Sequence, residues 1–373
     1  MSASVLRYWR ESASLILVGK AAAAVATSTP TTLTSQSQEN DRNVNTANYK
    51  ILMLKRSSRM SFFPNFYVFP GGAADDADFS SEWLDILGPS FCSTTGPYSP
   101  RESLFRLFSR ETKDNRRAPI LSRKRDPKYS VIPSDIAFRI CAIRETFEET
   151  GILLAYKAKS NATLEQNNNP NSEGNSEVTR RCTAKLCDLP AEQLNEWRHC
   201  VLKKSDNFLK MCRELNLIPD LTALSEWSNW LTPTTTNKSR SKKRFNTIFF
   251  ISFVDYLPNV IIEAHESTSH MWQTPNEYFT QVADGSIYLG PPQMYELNYM
   301  NFRSWETFHD DVEQHPHFHA SQWMSVEVKC KDGSLFLFPG DDKYPKEVNF
   351  EHGVGQLSSH RILERVSLSS SFW

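Results

Sequence analysis

Arg144-Glu145-Thr146-Phe147-Glu148-Glu149-Thr150-Gly151 sets three carboxylates beside one guanidinium. On an α-helix, at about 100° per residue, Glu145, Glu148 and Glu149 share one face, roughly opposite an apolar stripe of Ile136, Ile140, Ile143 and Phe147. Ionised together, the carboxylates repel by ~0.2–0.5 kcal/mol per adjacent pair. No lysine stands at the compensating positions, and Arg144 relieves only part of that repulsion. A hard divalent cation resolves the conflict, since Mg2+ or Mn2+ takes oxygen ligands and bridges carboxylates to the oxygens of a diphosphate. Such an ion would neutralise charge on phosphorus oxygens and make a bound water a better nucleophile. An exposed acidic helix surface with no ligand would carry the same residues, and spacing alone leaves both readings open.

The surrounding pattern shows what must hold that face. Ser134 or Asp135 can cap the helix, and Gly151 supplies the left-handed residue after its last turn. Ile152 to Tyr156 then reads as a buried strand. Upstream, Ser12–Gly19 and Tyr49–Lys55 read as partnered strands and Phe66–Phe69 as a short one. Pro70-Gly71-Gly72 reads as a turn, and helical sequence follows near Ser80–Leu87. Downstream, Ala191–Leu202 and Ser205–Leu215 have helical periodicity. Trp227–Leu231 and Phe245–Val254 read as strands, the second apolar enough to be central. Residues 21–46 and 157–180, rich in small and polar types, read as a flexible connection and an unstructured insertion.

Composition narrows the class without naming a reaction. The 373 residues are 39% hydrophobic and 23% charged, as in a folded globular protein, and the net charge of −1 exerts no global pull toward nucleic acid or acidic membranes. Residues 99–130 are locally basic, including Arg116, Arg117, Arg123, Lys124 and Arg125. The plain expectation is a solvated loop, the functional one a patch that concentrates anionic substrate. Lys238–Arg244 carries the same pair of readings. Seven cysteines without CxxC pairs suit free thiols in a reducing compartment and no zinc site. No apolar run reaches the ~18 residues of a membrane span. The first thirty residues have the basic, Ala/Ser-rich character of a mitochondrial presequence, but they contain the strand at Ser12–Gly19.

The helix end resembles the second half of the Nudix box, Arg-Glu-x-x-Glu-Glu-x-Gly. The first half is displaced: Gly72 and Asp78 have its Gly-to-acid spacing, yet Asp78 lies 66 positions before Arg144, as if the box carried an insertion. Within the Nudix hydrolase superfamily the chain resembles the coenzyme A diphosphatase branch found in animal peroxisomes. The carriers are Trp9-Arg10, Val68-Phe69-Pro70-Gly71-Gly72, Ala137 through Gly151, Trp227 through Pro233, Arg244-Phe-Asn-Thr, Leu289 through Gln293 and Phe338 through Asp341. Arg56-Ser57 and Phe69-Pro-Gly-Gly72 also match a segment shared by coenzyme A-cleaving relatives, although Ser61 and Asn65 stand where it has Arg and Gly.

The resemblance implies an α/β/α sandwich with a mixed sheet over residues 10–298, enlarged by insertions near 79–133 and 157–225, with residues 299–373 packed on it. It implies water-driven cleavage of coenzyme A or acyl-coenzyme A to 3′,5′-ADP and a 4′-phosphopantetheine. Glu145, Glu148 and Glu149 would hold Mg2+ or Mn2+, with Arg144 orienting a glutamate. Glu266, six residues before Trp272, would serve as a further ligand or general base; an exposed loop carboxylate between His265 and His270 is its plain reading. Gly71 and Gly72 would let the backbone approach the diphosphate, and Arg56 and Arg244 would contact phosphate unless they are simply surface residues. Other nucleoside-diphosphate substrates, capped RNA among them, and a catalytically silent binding protein are the competing readings. Location follows the peroxisomal relatives, although the chain ends Ser371-Phe372-Trp373 rather than in an SKL-like signal.

Overall fold

Apolar sequence with alternating sidedness builds a sheet that is covered on both faces. The computed structural model describes residues 9–21, 48–91, 102, 117–158, 181–232, 244–301, 303–315, 319–330 and 333–344. In chain order its strands are β1 (Trp9–Lys20), β2 (Tyr49–Arg56), β3 (Phe66–Val68), β4 (Gly71–Ala73), β5 (Ala155–Lys157), β6 (Leu217–Pro219) and β7 (Ser225–Leu231). They continue with β8 (Arg244–Val254), β9 (Ser267–Gln273), β10 (Tyr288–Leu289), β11 (His319–Trp323), β12 (Val326–Cys330) and β13 (Gly333–Leu337). The main sheet runs β10-β3-β2-β1-β8-β7-β11, with β4 also paired to β1 and β9 to β2. It is mixed: β1 and β8 are parallel from Trp9↔Arg244 to Gly19↔Val254, whereas β1–β2 and β7–β8 are antiparallel.

The period of two divides β1 between two cores. Ala13, Leu15 and Leu17 face the helix Ser134–Thr150, meeting Ile136, Ile140, Ile143 and Phe147 in one buried cluster. Ile16 and Val18 face the other way, into a cluster with Tyr278, Leu297, Met300, Trp305, Phe308 and Val312. Those residues come from the helices Pro275–Ala283, Pro291–Met300 and Trp305–Gln314. Helices therefore lie on both faces of a mixed sheet, the α/β/α arrangement. Trp305–Gln314 seals the second core, and β11 joins the sheet parallel to β7.

Several local expectations change in three dimensions. Pro70-Gly71-Gly72 is not a free turn: Gly71–Ala73 is β4, paired with Ser12–Ser14 of β1. The helix cap is Pro133, with Ser134 and Asp135 already in the first turn, since proline needs no N–H partner there. Of Ile152–Tyr156 only the end forms a strand, β5, and it pairs with β6 outside the main sheet. The basic segment is only partly solvated where it is described: Lys124 and Lys128 are exposed, but three arginines are not free. Arg117 pairs with Asp135 and Glu226, and Arg123 and Arg125 pair with Glu11 at 2.8 and 2.6 Å, so these cations are held by internal carboxylates. Most of the expected connection at 21–46, of the insertion at 157–180 and of the Lys238–Arg244 run lies outside the described residues.

Candidate active site

Seventeen residues of helix, Ser134–Thr150, bring Arg144, Glu145, Glu148 and Glu149 to the end of the domain next to β4. The helix stops because Gly151 takes φ 75° and returns its N–H to the Phe147 carbonyl. Its acidic end is not an exposed surface. Glu149 is buried at 5% exposure, and the side chains of Glu145 and Glu148 keep only 14% and 15%.

Arg144 is the hub. Its Nε and Nη2 donate to the two carboxylate oxygens of Asp78, both at 2.8 Å, while Nη1 donates to Glu145 at 2.7 Å and Glu148 at 2.8 Å. Asp78 is itself fixed: it closes a capping box on a single 3-10 turn, Asp76–Phe79, taking the Asp75 N–H at 2.8 Å. The insertion thus leaves the chain after Asp78 and returns it to the box helix with the acid-to-arginine pairing intact. Gly-to-acid spacing was the only trace of this pair in the sequence.

The two glycines act through the carboxylates. Gly71, at φ 153° between Ala13 and Ser14 of β1, donates its N–H to Glu149 at 2.8 Å, and a Cβ there would strike the Ala13 carbonyl at 2.4 Å. A Cβ on Gly72 would lie 2.3 Å from an oxygen of Glu145. The space over Gly72 is therefore filled by Glu145, which accounts for that glycine without a substrate.

Charge is concentrated here. Burial, with the neighbouring Glu148 charge, raises the Glu145 carboxyl to about 7 even though Arg144 pulls it down. Burial raises Glu148 as well, and takes Glu149 well above the usual carboxylate range. Three acids, Asp78, Glu145 and Glu148, thus surround one arginine, and Glu149 stands apart on Gly71. Each of the three glutamates spends one oxygen on Arg144 or Gly71, and the second oxygen has no donor among the described residues. That oxygen-only, carboxylate-rich donor set fits a hard divalent cation. The oxygens are not gathered to a single point, because the guanidinium stands between Glu145 and Glu148. Among the described residues the one gathered set is His309, Asp310 and Glu313, whose ligand atoms lie within 4.8 Å. It sits along one helix with Asp310 and Glu313 exposed, where i to i+4 spacing alone brings side chains together.

The other expected residues divide. Glu266 is exposed, just before β9, and its charge helps raise both Glu148 and Glu149, which puts it on the same side of the molecule. Its carbonyl accepts the Ser57 N–H at 2.7 Å, and neighbouring Glu263 ties the loop to the box helix through the Glu149 carbonyl. Arg56 lowers Glu149 electrostatically while its Nε holds the Phe62 carbonyl at 3.0 Å. Arg244 has another partner: its guanidinium stacks over Trp9, 5.3 Å from the ring centroid, at the start of β1. Sequence reading missed Arg198, which donates to the Glu148 carbonyl at 2.8 Å and so caps the negative end of the box helix. Its partner is 50 positions away and leaves no local pattern.

A mixed sheet between helices, with the Arg–Glu–Glu–Glu helix end facing a Gly-Gly strand, defines a Nudix hydrolase. Residues 9–300 match the family described as NUDT19 Nudix domain, and the chain belongs to that family. It is similar to the acyl-coenzyme A diphosphatase NUDT19 of Xenopus laevis, 35% identical over 345 residues, which span 92% of this chain and 83% of that protein. The Gallus gallus protein of the same name is 35% identical over 347 residues, 92% and 82% of the two chains. The Homo sapiens one is 32% identical over 304 residues, 81% and 74%. A solved NUDIX hydrolase from Alicyclobacillus acidocaldarius overlays 79% of this chain and 91% of its own at TM-score 0.46 and 18% identity.

Proposed function

We propose that this protein hydrolyses the diphosphate bond of coenzyme A and acyl-coenzyme A to 3′,5′-ADP and (acyl-)4′-phosphopantetheine. The observation that carries the reading is the reassembled box: Asp78 grips Arg144 through both oxygens, and Arg144 spreads its remaining donors to Glu145 and Glu148. The substrate class rests on the relatives, which are named acyl-coenzyme A diphosphatases.

Nudix hydrolases use divalent metal ions, and Glu145, Glu148 and Glu149 are the residues that would hold Mg2+ or Mn2+. When bound, such an ion supplies charge neutralisation at the phosphorus oxygens and acidifies water. The chain's own residues do the rest. Arg144 holds two of the carboxylates by one bridging N–H2, so they are positioned before substrate arrives. Gly71 fixes Glu149 through its N–H. Arg56, beside Glu149, offers a guanidinium for the phosphates, and Glu266, exposed and close to the same carboxylates, accepts the proton of the attacking water. Water's oxygen bonds to one phosphorus while the bridging oxygen leaves on the other.

Comparing kcat/KM for coenzyme A, NADH and capped RNA with Mg2+ and with Mn2+ tests the reading. Coenzyme A is expected to lead, and a lead by either other substrate would overturn the assignment. The cellular location we propose is the peroxisome, supported by the resemblance alone. A fluorescent fusion that stained mitochondria would contradict it.

A further inference from the structure

A row of aromatic side chains crosses one end of the sheet, and nothing in the chemistry above uses it. Successive ring centroids run Phe245 to Phe62 at 5.1 Å, Phe62 to Phe63 at 4.4 Å, Phe63 to Phe66 at 4.9 Å and Phe66 to Tyr288 at 5.8 Å. None of the five is buried, and Tyr288 is 59% exposed. A continuous apolar strip that is only partly covered marks a binding surface more often than a packing accident. The loop that carries it is strained: Phe63 sits at φ 49° and Asn65 at φ 65°, the left-handed region, which asparagine tolerates and phenylalanine does not. Strain of that kind persists where the surroundings hold a side chain for use. Here the holder is Arg56, which accepts the Asn65 N–H on its own carbonyl at 3.2 Å and donates Nε to Phe62 at 3.0 Å.

Strand register places the strip relative to the site. Leu54 of β2 points into the core beneath the box helix. Val68 stands opposite Leu54, Phe66 is two positions along the same strand, and Tyr288 is in register with Phe66. By the period of two, Phe66 and Tyr288 lie on the face of the sheet that carries Glu145, Glu148 and Glu149. Phe66 precedes Gly71, the Glu149 partner, by five residues, so the two are at most roughly 17 Å apart.

We propose that Phe66 and Tyr288, continued by Phe63 and Phe62, form the acyl subsite: they receive the fatty chain of acyl-coenzyme A and determine the enzyme's preference for it. This rests on the proposed reaction. The length of the substrate suits its acyl end to this strip. The pantetheine arm, about four peptide-like units long, spans roughly 14 Å from diphosphate to thioester, which delivers the acyl chain at the start of the strip. The shape agrees: the contacting rings of Phe62, Phe63, Phe66 and Tyr288 offer a surface long enough for a flexible chain, whereas one base covers a single ring.

The test compares kcat/KM for lauroyl-coenzyme A and free coenzyme A in the intact chain and in the Phe66→Ala/Tyr288→Ala variant. Tyr256→Ala, also at an exposed aromatic (58%), is the control. The acyl-to-free ratio is expected to fall about tenfold in the double variant, through KM, from the loss of two aromatic faces, and to stay unchanged in the control. Should the double variant fail to fold, Tyr288→Ala alone, at the exposed edge strand, is expected to lower the ratio about threefold. An unchanged ratio overturns the proposal. So does an equal fall for both substrates, which would place the rings against the adenine half that both share. If the unaltered protein cleaves neither substrate, the reaction itself is wrong, and lauroyl-coenzyme A binding measured by tryptophan fluorescence still decides the subsite: loss of binding in the double variant upholds it, retained binding overturns it.

Discussion

Asp78→Asn removes one charge, preserves shape and strikes the joint on which the split box depends. Asp78 and Arg144 are both buried, their side chains at 1% and 4% exposure, and share two hydrogen bonds of 2.8 Å. Asparagine keeps one acceptor and turns an N–H2 toward the guanidinium, so one charge-assisted bond is lost and a donor faces a donor. Breaking a buried pair costs ~3–5 kcal/mol, and Arg144 keeps Glu145 and Glu148, so we take the lower end, about 3 kcal/mol. At ~2–4 °C per kcal/mol for a domain of this class, the melting temperature should drop by roughly 6–12 °C. Calorimetry without metal measures it. A cycle with Arg144→Met should show the two substitutions coupled by more than ~1 kcal/mol. Because the same arginine aligns two carboxylates, kcat should fall more than about tenfold in parallel. A shift below ~2 °C with kcat intact would show that Asp78 does not close the box, and the account of the insertion would fail.

Three further outcomes follow from particular contacts. Gly72→Ala drives a methyl against the Glu145 carboxylate, 2.3 Å from its oxygen, and should lower kcat at least about tenfold while far-UV circular dichroism is unchanged. Glu296→Gln should lower the melting temperature by roughly 2–10 °C, because Trp227 Nε1, Ser228 Oγ and Trp230 Nε1 all donate to that buried carboxylate and an amide leaves one donor unmet. Without metal, the folded protein holds a proton on Glu145 up to about 7 that the unfolded chain releases near its ordinary range, so stability should decline as pH rises through that window. Added Mg2+ or Mn2+ should then raise the melting temperature more at pH 8 than at pH 5.5, and equal stabilisation at both would contradict the carboxylate ligands.

What could be read in advance was what is local. Glu145, Glu148 and Glu149 fall on one face because helical periodicity acts over a few residues, and Phe245–Val254 is central because its apolar run is nearly unbroken. What could not be read was pairing at a distance. Arg117, Arg123 and Arg125 looked solvated because their partners Glu11, Asp135 and Glu226 are remote in sequence or belong to other elements. Gly71 and Gly72 read as a turn because nothing nearby shows that β1 takes them as a strand. Arg244 resembled a phosphate ligand by residue type, yet the parallel register of β8 on β1 delivers it to Trp9. Asp78 was half visible, since spacing survives an insertion on one side of it while contact with Arg144 must be seen.

The most direct test is chromatographic analysis of products after the purified protein is incubated with coenzyme A and Mg2+ or Mn2+, with Glu149→Gln alongside. We expect 3′,5′-ADP only when metal and the intact glutamate are both present. No 3′,5′-ADP from the folded, metal-supplied protein, or the same yield from Glu149→Gln, would contradict it.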